Sequence, residues 1–167
     1  LSPREAVRQS LGMYIGSNDS AGLHHLLTEI VANAMDEAAA GYGKKIIVSI
    51  DKETNQIAVR DYGRGIPFHK NDSGNYAIVE MCTNLHSGGK SEKQGNYKSS
   101  LGLNGVGATV TCALSSQFVI DVWRDGEHCN FGVYDGEYDD PTIESYKGKE
   151  QGTLVSFIPD HEVFTNV

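Results

Sequence analysis

One amphipathic helix constrains this chain more than any other feature of its sequence. Apolar residues recur every three or four positions and predict a helix over residues 23–40. Helix surfaces in solvent usually alternate acidic with basic residues, because opposite charges four residues apart stabilise the helix. Here one face of the helix, about 100° wide, carries three carboxylates and an amide, so it needs a cation from another segment. That acidic face consists of Glu29, Asn33, Asp36 and Glu37, and the apolar stripe beside it of Leu23, Leu27, Ile30, Val31, Ala34 and Ala38.

The turn Asp61-Tyr-Gly-Arg-Gly-Ile-Pro67 follows a predicted strand and could supply one cation through Arg64. Its glycines have a structural interpretation, since glycine accommodates the positive φ of turns. They also have a functional interpretation, in which a flat ring approaches the backbone and Asp61 accepts a hydrogen bond from an exocyclic amine.

A metal ion could supply the second cation. Asn33 offers a neutral oxygen one turn from Glu29. Mg²⁺ typically takes one or two protein ligands and completes its shell with water and phosphate. Glu29 could then polarise a water molecule for attack on a terminal phosphate, although most acidic residues on helices are simply solvated.

A glycine-rich stretch at residues 102–107 leads into a predicted helix over residues 104–114. Unpaired backbone N–H groups at such a junction suit phosphate, and Lys90, Lys93 and Lys98 precede it. An ordinary surface loop has the same composition. A P-loop is excluded because position 84 is Asn, and a dinucleotide fingerprint is excluded because the glycines come in the wrong order.

Composition and element order indicate one α+β domain. The 167 residues are enough for one domain with a core, and helices come mainly before strands, which favours α+β layers over a βαβ repeat. A connector at residues 12–17 is expected to bring Met13, Tyr14 and Ile15 onto the body of the domain. The predicted helices cover residues 2–11, 23–40, 74–85 and 104–114, and the predicted strands residues 45–51, 56–61, 117–124, 127–134, 142–146 and 152–158.

Charge and cysteine content limit the classes of partner. A net charge of −8 should repel a phosphate backbone, so any DNA contacts are expected outside this segment. Three cysteines without a CxxC spacing argue against disulfides and zinc and favour a reducing cytoplasm. No apolar run is long enough to span a bilayer, so no membrane partner is expected. The start on a helix signal without Met suggests a fragment of a longer protein.

Three motifs together resemble the nucleotide motifs of the GHKL ATPase superfamily. They are Glu29-x-x-x-Asn33-x-x-Asp36-Glu37, the 61–67 turn, and Gly102-Leu-Asn-Gly-Val-Gly107. Flanking segments such as Gly12-Met-Tyr-Ile-Gly16 and Leu85-His-Ser-Gly-Gly-Lys90 are similar to the ATPase domains of the B subunits of bacterial type II topoisomerases, DNA gyrase or topoisomerase IV. The similarity covers essentially the whole chain. It implies a two-layer α/β sandwich of the GHKL (Bergerat) type over residues 1–167, with helices on one face of a mixed, largely antiparallel sheet.

The resemblance also implies a role for individual residues. Glu29 would be the general base and Asn33 the Mg²⁺ ligand. Asp61 would bind the adenine amino group with Thr153 nearby, and Glu37 would pair with Arg64 beside the adenine. The other implied ATP-binding positions are Asp36 on the helix, Gly65, Ile66 and Pro67 in the pocket, Lys90, Tyr97, Lys98, Gly102, Leu103, Asn104, Gly105, Val106, Gly107 and Ala108 in a lid and phosphate cradle, and Arg124 at the mouth, where related proteins contact aminocoumarin inhibitors.

The function implied is ATP binding and hydrolysis that drives dimer closure during DNA strand passage. The implied partners are ATP, competitive inhibitors in the adenine pocket, a topoisomerase A-type subunit, and DNA through the full-length enzyme. The family's N-terminal arm and transducer domain would lie outside residues 1–167, so we expect this chain to bind ATP as a monomer and to turn it over poorly. Two alternatives stay open: a nucleotide-gated binding module without turnover, and the catalytic domain of a histidine kinase, against which the Gly-Met-Tyr-Ile-Gly and Gly-Gly-Lys segments argue.

Overall fold

An antiparallel sheet and the helices packed against one of its faces make up the computed structural model, which describes residues 2–41, 43–84 and 107–165. Among these residues no helix is long and apolar enough to cross a membrane. The helices are α1 (Pro3–Gln9), α2 (Leu11–Tyr14), α3 (Ser20–Ala39), α4 (Ala77–Thr83) and α5 (Gly107–Ala113). The strands are β1 (Ile46–Asp51), β2 (Gln56–Asp61), β3 (Ser115–Arg124), β4 (Glu127–Tyr134), β5 (Thr142–Ser145) and β6 (Gly152–Pro159).

The six strands lie in the order β1-β2-β6-β3-β4-β5. Every pairing between them is antiparallel, so the predicted α+β sandwich is confirmed, while the described strands show no parallel component of the expected mixed sheet. The last strand of the chain lies between β2 and β3. Its residue Thr153 is therefore flanked by Asp61 on one side and Val122 on the other.

Side chains alternate across the central strands and give the sheet one buried face. In β3, Phe118, Ile120 and Val122 are at most 1% exposed, while the residues between them are partly exposed. Their register partners in β4 and β6 point to the same side, where the helices cover them. The core beneath α3, α4 and α5 contains Ile30, Ala34, Ile57, Val59, Phe68, Ile78, Cys82, Ala108, Cys112, Phe131, Val133 and Phe157 in addition to these three.

Helix α3 begins three residues before its predicted start. Asp19 caps it, because its Oδ1 accepts a hydrogen bond from the Ala21 N–H at 3.0 Å. Gly22, which resembles a helix break in the sequence, is buried within the first turn. A Cβ at that position would collide with the backbone carbonyl of Ser17, so the glycine permits a close approach of the connector.

Two expectations about apolar side chains were wrong. Ile15 is buried and Tyr14 packs on the body as expected, but Met13 is 78% exposed. Successive residues of the short helix α2 point in different directions, so the turn that buries its neighbours leaves Met13 in solvent. Leu26 lies outside the predicted apolar stripe of α3, yet it is only 1% exposed and packs with Val7 in a second cluster.

Candidate functional site

A narrow pocket lies between α3 and the buried face of the sheet. Four polar residues line it: Asn33, Glu37, Asp61 and Thr153. The pocket measures about 40 Å³, which holds only a few water molecules. The rest of its wall consists of Ile30, Ala34, Val59, Gly65, Ile66, Met81, Ala108, Phe118, Ile120 and Val155.

Asp61 places a carboxylate at the end of β2 inside this pocket. Burial raises the pKa of Asp61 above its ordinary value, and the negative charge of Glu37 adds to the effect. The N–H groups of Gly63 and Thr153 act in the opposite direction, the former donating to Oδ1 at 3.0 Å. The result is a buried acceptor, suited to an N–H donor from a bound molecule.

The predicted ion pair between Glu37 and Arg64 is present. Arg64 Nε lies 3.2 Å from Glu37 Oε1, and the Arg64 backbone N–H donates to Oε2 at 3.3 Å. Glu37 is only 6% exposed, so its charge requires such compensation. The pair links the 61–67 turn to α3. Arg64 thereby supplies the cation that the acidic face of the helix was expected to need.

The same turn is held on its other side by β3 and β6. Ile66 donates its backbone N–H to Thr153 Oγ1 at 3.2 Å, and Arg124 Nη1 donates to the Gly65 carbonyl at 2.7 Å. Gly65 has φ +84°, and a Cβ there would lie 2.9 Å from Val122 Cγ1. Only glycine therefore lets the turn lie this close to β3.

Asn33 carries an unsatisfied polar atom. Its Oδ1 is buried and has no hydrogen-bond partner in the described part of the chain. Burying such an oxygen costs about 1–3 kcal/mol, so the geometry is suited to an external partner. A neutral amide oxygen fits a hard cation such as Mg²⁺. Residues 2–41, 43–84 and 107–165 contain no group of three His, Cys, Asp or Glu that could hold a metal, so a cation here would have few protein ligands.

The other members of the acidic face lie outside the pocket wall. The Glu29 side chain is 38% exposed, and its Oε1 is 3.7 Å from Nε2 of His25. Asp36 is partly exposed. The structure thus brings Asn33 and Glu37 together with Asp61, and leaves Glu29 one helical turn from Asn33 at the edge.

The remaining predicted site residues divide into three groups. Ala108 lines the pocket, and Gly107 is buried beside it at the start of α5. Pro67 and Arg124 line a neighbouring depression that also contains His69. The following predicted residues lie outside the described part of the chain: Lys90, Tyr97, Lys98, Gly102, Leu103, Asn104, Gly105 and Val106.

The sequence interpretation missed most of the apolar wall. Val59 precedes Asp61 by two residues and Val155 follows Thr153 by two, so strand alternation could have placed both on the face of the site. Met81, Phe118 and Ile120 give no comparable signal, because they reach the pocket only through the packing of α4 and the order of the strands.

Comparison with known proteins identifies relatives of this arrangement. Residues 18–162 match the family described as histidine kinase-, DNA gyrase B- and HSP90-like ATPases. The chain is 47% identical over 163 residues to the B subunit of DNA topoisomerase 4 from Enterococcus faecalis, covering 96% of this chain and 24% of the relative. It is 46% identical over 167 residues to the B subunit of DNA gyrase from Thermus thermophilus, covering 98% of this chain and 26% of the relative. The chain thus spans about a quarter of the length of these curated relatives.

A solved structure shares the whole fold. It is the 43K ATPase domain of Thermus thermophilus gyrase B in complex with an aminocoumarin, with a TM-score of 0.83 and 36% identity over all of this chain and 42% of that one. The family match spans most of the chain and includes Asn33, Asp61 and Thr153. The chain therefore belongs to the histidine kinase-, DNA gyrase B- and HSP90-like ATPase family.

Proposed function

We propose that this chain is the ATP-binding and ATP-hydrolysing part of the B subunit of a type II topoisomerase, of the gyrase or topoisomerase IV kind. The observation that carries the proposal is the unpartnered Oδ1 of Asn33, buried in a pocket that also holds the Asp61 carboxylate. The named relatives support it and argue against the histidine-kinase alternative. Relatives of the two topoisomerase kinds match at 47% and 46% identity, so the proposal covers both.

The polar end of the pocket would bind adenine. The Asp61 carboxyl oxygen would accept a hydrogen bond from the exocyclic amine, and the Thr153 hydroxyl, which already accepts from Ile66 N–H, can donate to a ring nitrogen. Apolar side chains such as Val59 and Ile120 would contact the ring faces. The 40 Å³ slot must widen to admit a purine, and Met81 is the lining side chain best able to move because it is long and unbranched.

The open end of the pocket would hold the phosphates. Asn33 Oδ1 would bind Mg²⁺, which when bound supplies positive charge that neutralises the ATP phosphates. Glu29, one turn earlier on α3, would take the proton of the attacking water, and its partial exposure leaves it free to turn toward one. Further phosphate contacts are proposed for Gly107 and Ala108 and for Lys90, Tyr97, Lys98, Gly102, Leu103, Asn104, Gly105 and Val106. Asp36 on α3 is proposed as a further ATP-binding position.

The partners proposed for the parent protein are those of a type II topoisomerase. They are a topoisomerase A-type subunit, a second copy of the parent chain in an ATP-closed homodimer, and DNA bound through the full-length enzyme. The solved neighbour is a complex with an aminocoumarin, and we assign inhibitor contact in this chain to Arg124 and Pro67 in the depression beside the pocket.

Substitution of the proposed base tests this function against a binding module without turnover. In the full-length protein, Glu29→Ala should lower ATP hydrolysis by at least about a hundredfold, because general-base catalysis contributes that much. ATP affinity should change less than about threefold, because Glu29 lies outside the pocket wall. The matched control is Glu53→Ala, which removes an exposed carboxylate in the β1–β2 turn and should leave both quantities unchanged. Full hydrolysis in Glu29→Ala would exclude Glu29 as the base, and a wild type without turnover would favour the binding module.

A further inference from the structure

A second cavity lies against α4 and α5, apart from the nucleotide pocket. It measures about 250 Å³, and none of its lining residues lines the first pocket. Helix α4 contributes Met81 to the nucleotide pocket and Cys82 to the second cavity. Helix α5 likewise contributes Ala108 to the first and Cys112, one turn later, to the second, so both cavities border these two helices without sharing a lining residue.

The inner wall of the second cavity is apolar. Cys82, Cys112 and Val133 are each at most 4% exposed. Burial raises the pKa of the Cys112 thiol to about 12 and that of Cys82 well above its usual value, so both thiols are neutral at physiological pH. Thr109, which also faces the cavity, donates its hydroxyl to the Met81 carbonyl at 2.8 Å and offers no competing charge. This wall suits an apolar ring.

The rim of the cavity carries a guanidinium with spare donors. Arg4 makes a single long hydrogen bond, 3.4 Å from Nη1 to the Ser115 carbonyl, and no ion pair with any described residue. Arg8, one turn later on α1, is by contrast paired with Asp160 at 2.6 Å. Gly136 lets the Arg4 stem lie against the loop after β4, since a Cβ there would come within 2.7 Å of Arg4 Cδ. A guanidinium so placed matches a carboxylate, which it can bind through two parallel N–H groups.

We propose that the second cavity is a binding site for a small aromatic carboxylate, with its ring against Cys82, Cys112 and Val133 and its carboxylate on Arg4. A dry cavity of about 150 Å³ holds benzene, so 250 Å³ has room for two fused rings. The two cavities share no lining residue, so both sites can be filled at once. The inference does not depend on the proposed ATPase function, because it uses none of the residues of that site.

Titration of the ¹⁵N-labelled 167-residue chain with 2-naphthoate tests the proposal, with neutral 2-naphthamide as the matched probe. We expect saturable chemical-shift changes for the backbone amides of Thr83, Thr109, Cys112 and Val133. The affinity for 2-naphthoate should not change when a Mg²⁺ complex of AMP-PNP is present. The naphthamide should bind roughly tenfold or more weakly, because it lacks the charge-assisted pair with Arg4.

A variant pair assigns the carboxylate contact. Arg4→Met keeps an unbranched apolar stem without the guanidinium and should weaken 2-naphthoate binding roughly tenfold. Lys52→Met removes an exposed cation in the β1–β2 turn and should leave the affinity for 2-naphthoate unchanged. Equal binding of naphthoate and naphthamide to the wild type would overturn the proposal without any variant. Displacement of naphthoate by the nucleotide, or shifts confined to residues such as Gly65 and Thr153, would also overturn it.

Discussion

At the scale of single residues, Asp61 is a buried carboxylate whose ionisation carries a cost to the stability of the fold. Its burial raises its pKa, so ionisation of Asp61 at neutral pH is less favourable in the folded chain than in the unfolded one. The N–H groups of Gly63 and Thr153 offset part of that cost. A carboxylate that served only the fold would give way to a residue without this penalty. The binding role proposed for Asp61 would account for its presence in the pocket at this cost.

Asp61→Asn separates these two effects. At neutral pH we expect ATP affinity to fall about tenfold or more, because the amide is a weaker acceptor for the adenine amine. The free energy of unfolding of Asp61→Asn at neutral pH should equal or exceed that of the wild type. The folded state holds the Asp61 proton more tightly than the unfolded state, so the wild type should gain stability relative to the variant as pH falls through the raised pKa. Calorimetric titration and thermal unfolding at several pH values measure both effects.

The matched control is Asp72→Asn, which neutralises an exposed carboxylate elsewhere. It should leave ATP affinity unchanged. A wild-type ATP affinity retained by Asp61→Asn would contradict the role of Asp61 in recognising adenine.

At the scale of elements, the 61–67 turn joins three parts of the fold. Glu37 of α3 pairs with Arg64, Thr153 of β6 accepts from Ile66, and Arg124 of β3 donates to the Gly65 carbonyl. Distortion of this short segment should therefore disturb the pocket from three sides.

Gly65→Ala tests the fit of that turn. Alanine would have to adopt φ +84° with its Cβ 2.9 Å from Val122 Cγ1, so we expect a loss of about 3 kcal/mol in the free energy of unfolding. Gly74→Ala is the control, because Gly74 has φ +81° with no atom within 4 Å of the added Cβ. It should cost only about 1 kcal/mol, from backbone strain alone. Equal losses of unfolding free energy in Gly65→Ala and Gly74→Ala, measured by denaturant unfolding, would show that the contact with β3 is unimportant.

Helix α1 is fastened to the body through Arg8. Its Nε donates to the Ala113 carbonyl at 2.9 Å, and its Nη2 lies 2.6 Å from Asp160 Oδ2. Burial alone would raise the pKa of Asp160, but the Arg8 guanidinium and the Glu162 N–H more than offset it, so the pKa lies below its ordinary value. The pair ties the first helix of the chain to the segment that follows β6.

Arg8→Met should lower the free energy of unfolding by about 2 kcal/mol at pH 7. Because the folded-state pKa of Asp160 is depressed, the stabilisation from this pair is fully present above the unfolded pKa and is lost as pH falls through the folded one. The difference between variant and wild type should therefore shrink in acid. Arg4→Met removes an arginine without an ion pair to any described residue, so it should cost less at pH 7. It should show the same trend with pH more weakly, because the charge of Arg4 lowers the pKa of Asp160 less than Arg8 does.

At the scale of the whole molecule, the parts of the site that could be predicted are the local ones. Helical spacing places Asn33 and Glu37 on one face of α3, and the turn that follows Asp61 lies within seven residues. Charge balance indicated Arg64 as a cation for this face, and the family resemblance implied Glu37 as its partner. Each of these inferences needs only a short stretch of chain and the rule that a buried charge must have a partner.

The parts that could not be predicted depend on which elements become neighbours. Phe118 and Ile120 reach the pocket because β6 lies between β2 and β3, an order that strand propensity does not reveal. The start of α3 at Ser20 was not predicted, because the fit of Gly22 there depends on the carbonyl of Ser17 in the preceding segment. Met13 was placed inward because apolar character was taken as burial, whereas a four-residue helix has an outward side.

The charge of the pocket indicates how catalysis depends on the parent protein. Its described lining contains two carboxylates and neither Lys nor Arg, and the cations proposed for the phosphates within this chain are Lys90 and Lys98, which lie outside the described residues. The phosphates of ATP need cations in the transition state, and loss of one such group typically costs about a hundredfold in rate. The chain spans about a quarter of its relatives. We therefore expect the 167-residue chain to bind Mg–ATP but release phosphate at about a tenth or less of the full-length rate, with Glu29→Ala in each protein as background. Equal rates would place the complete catalytic machinery within these residues.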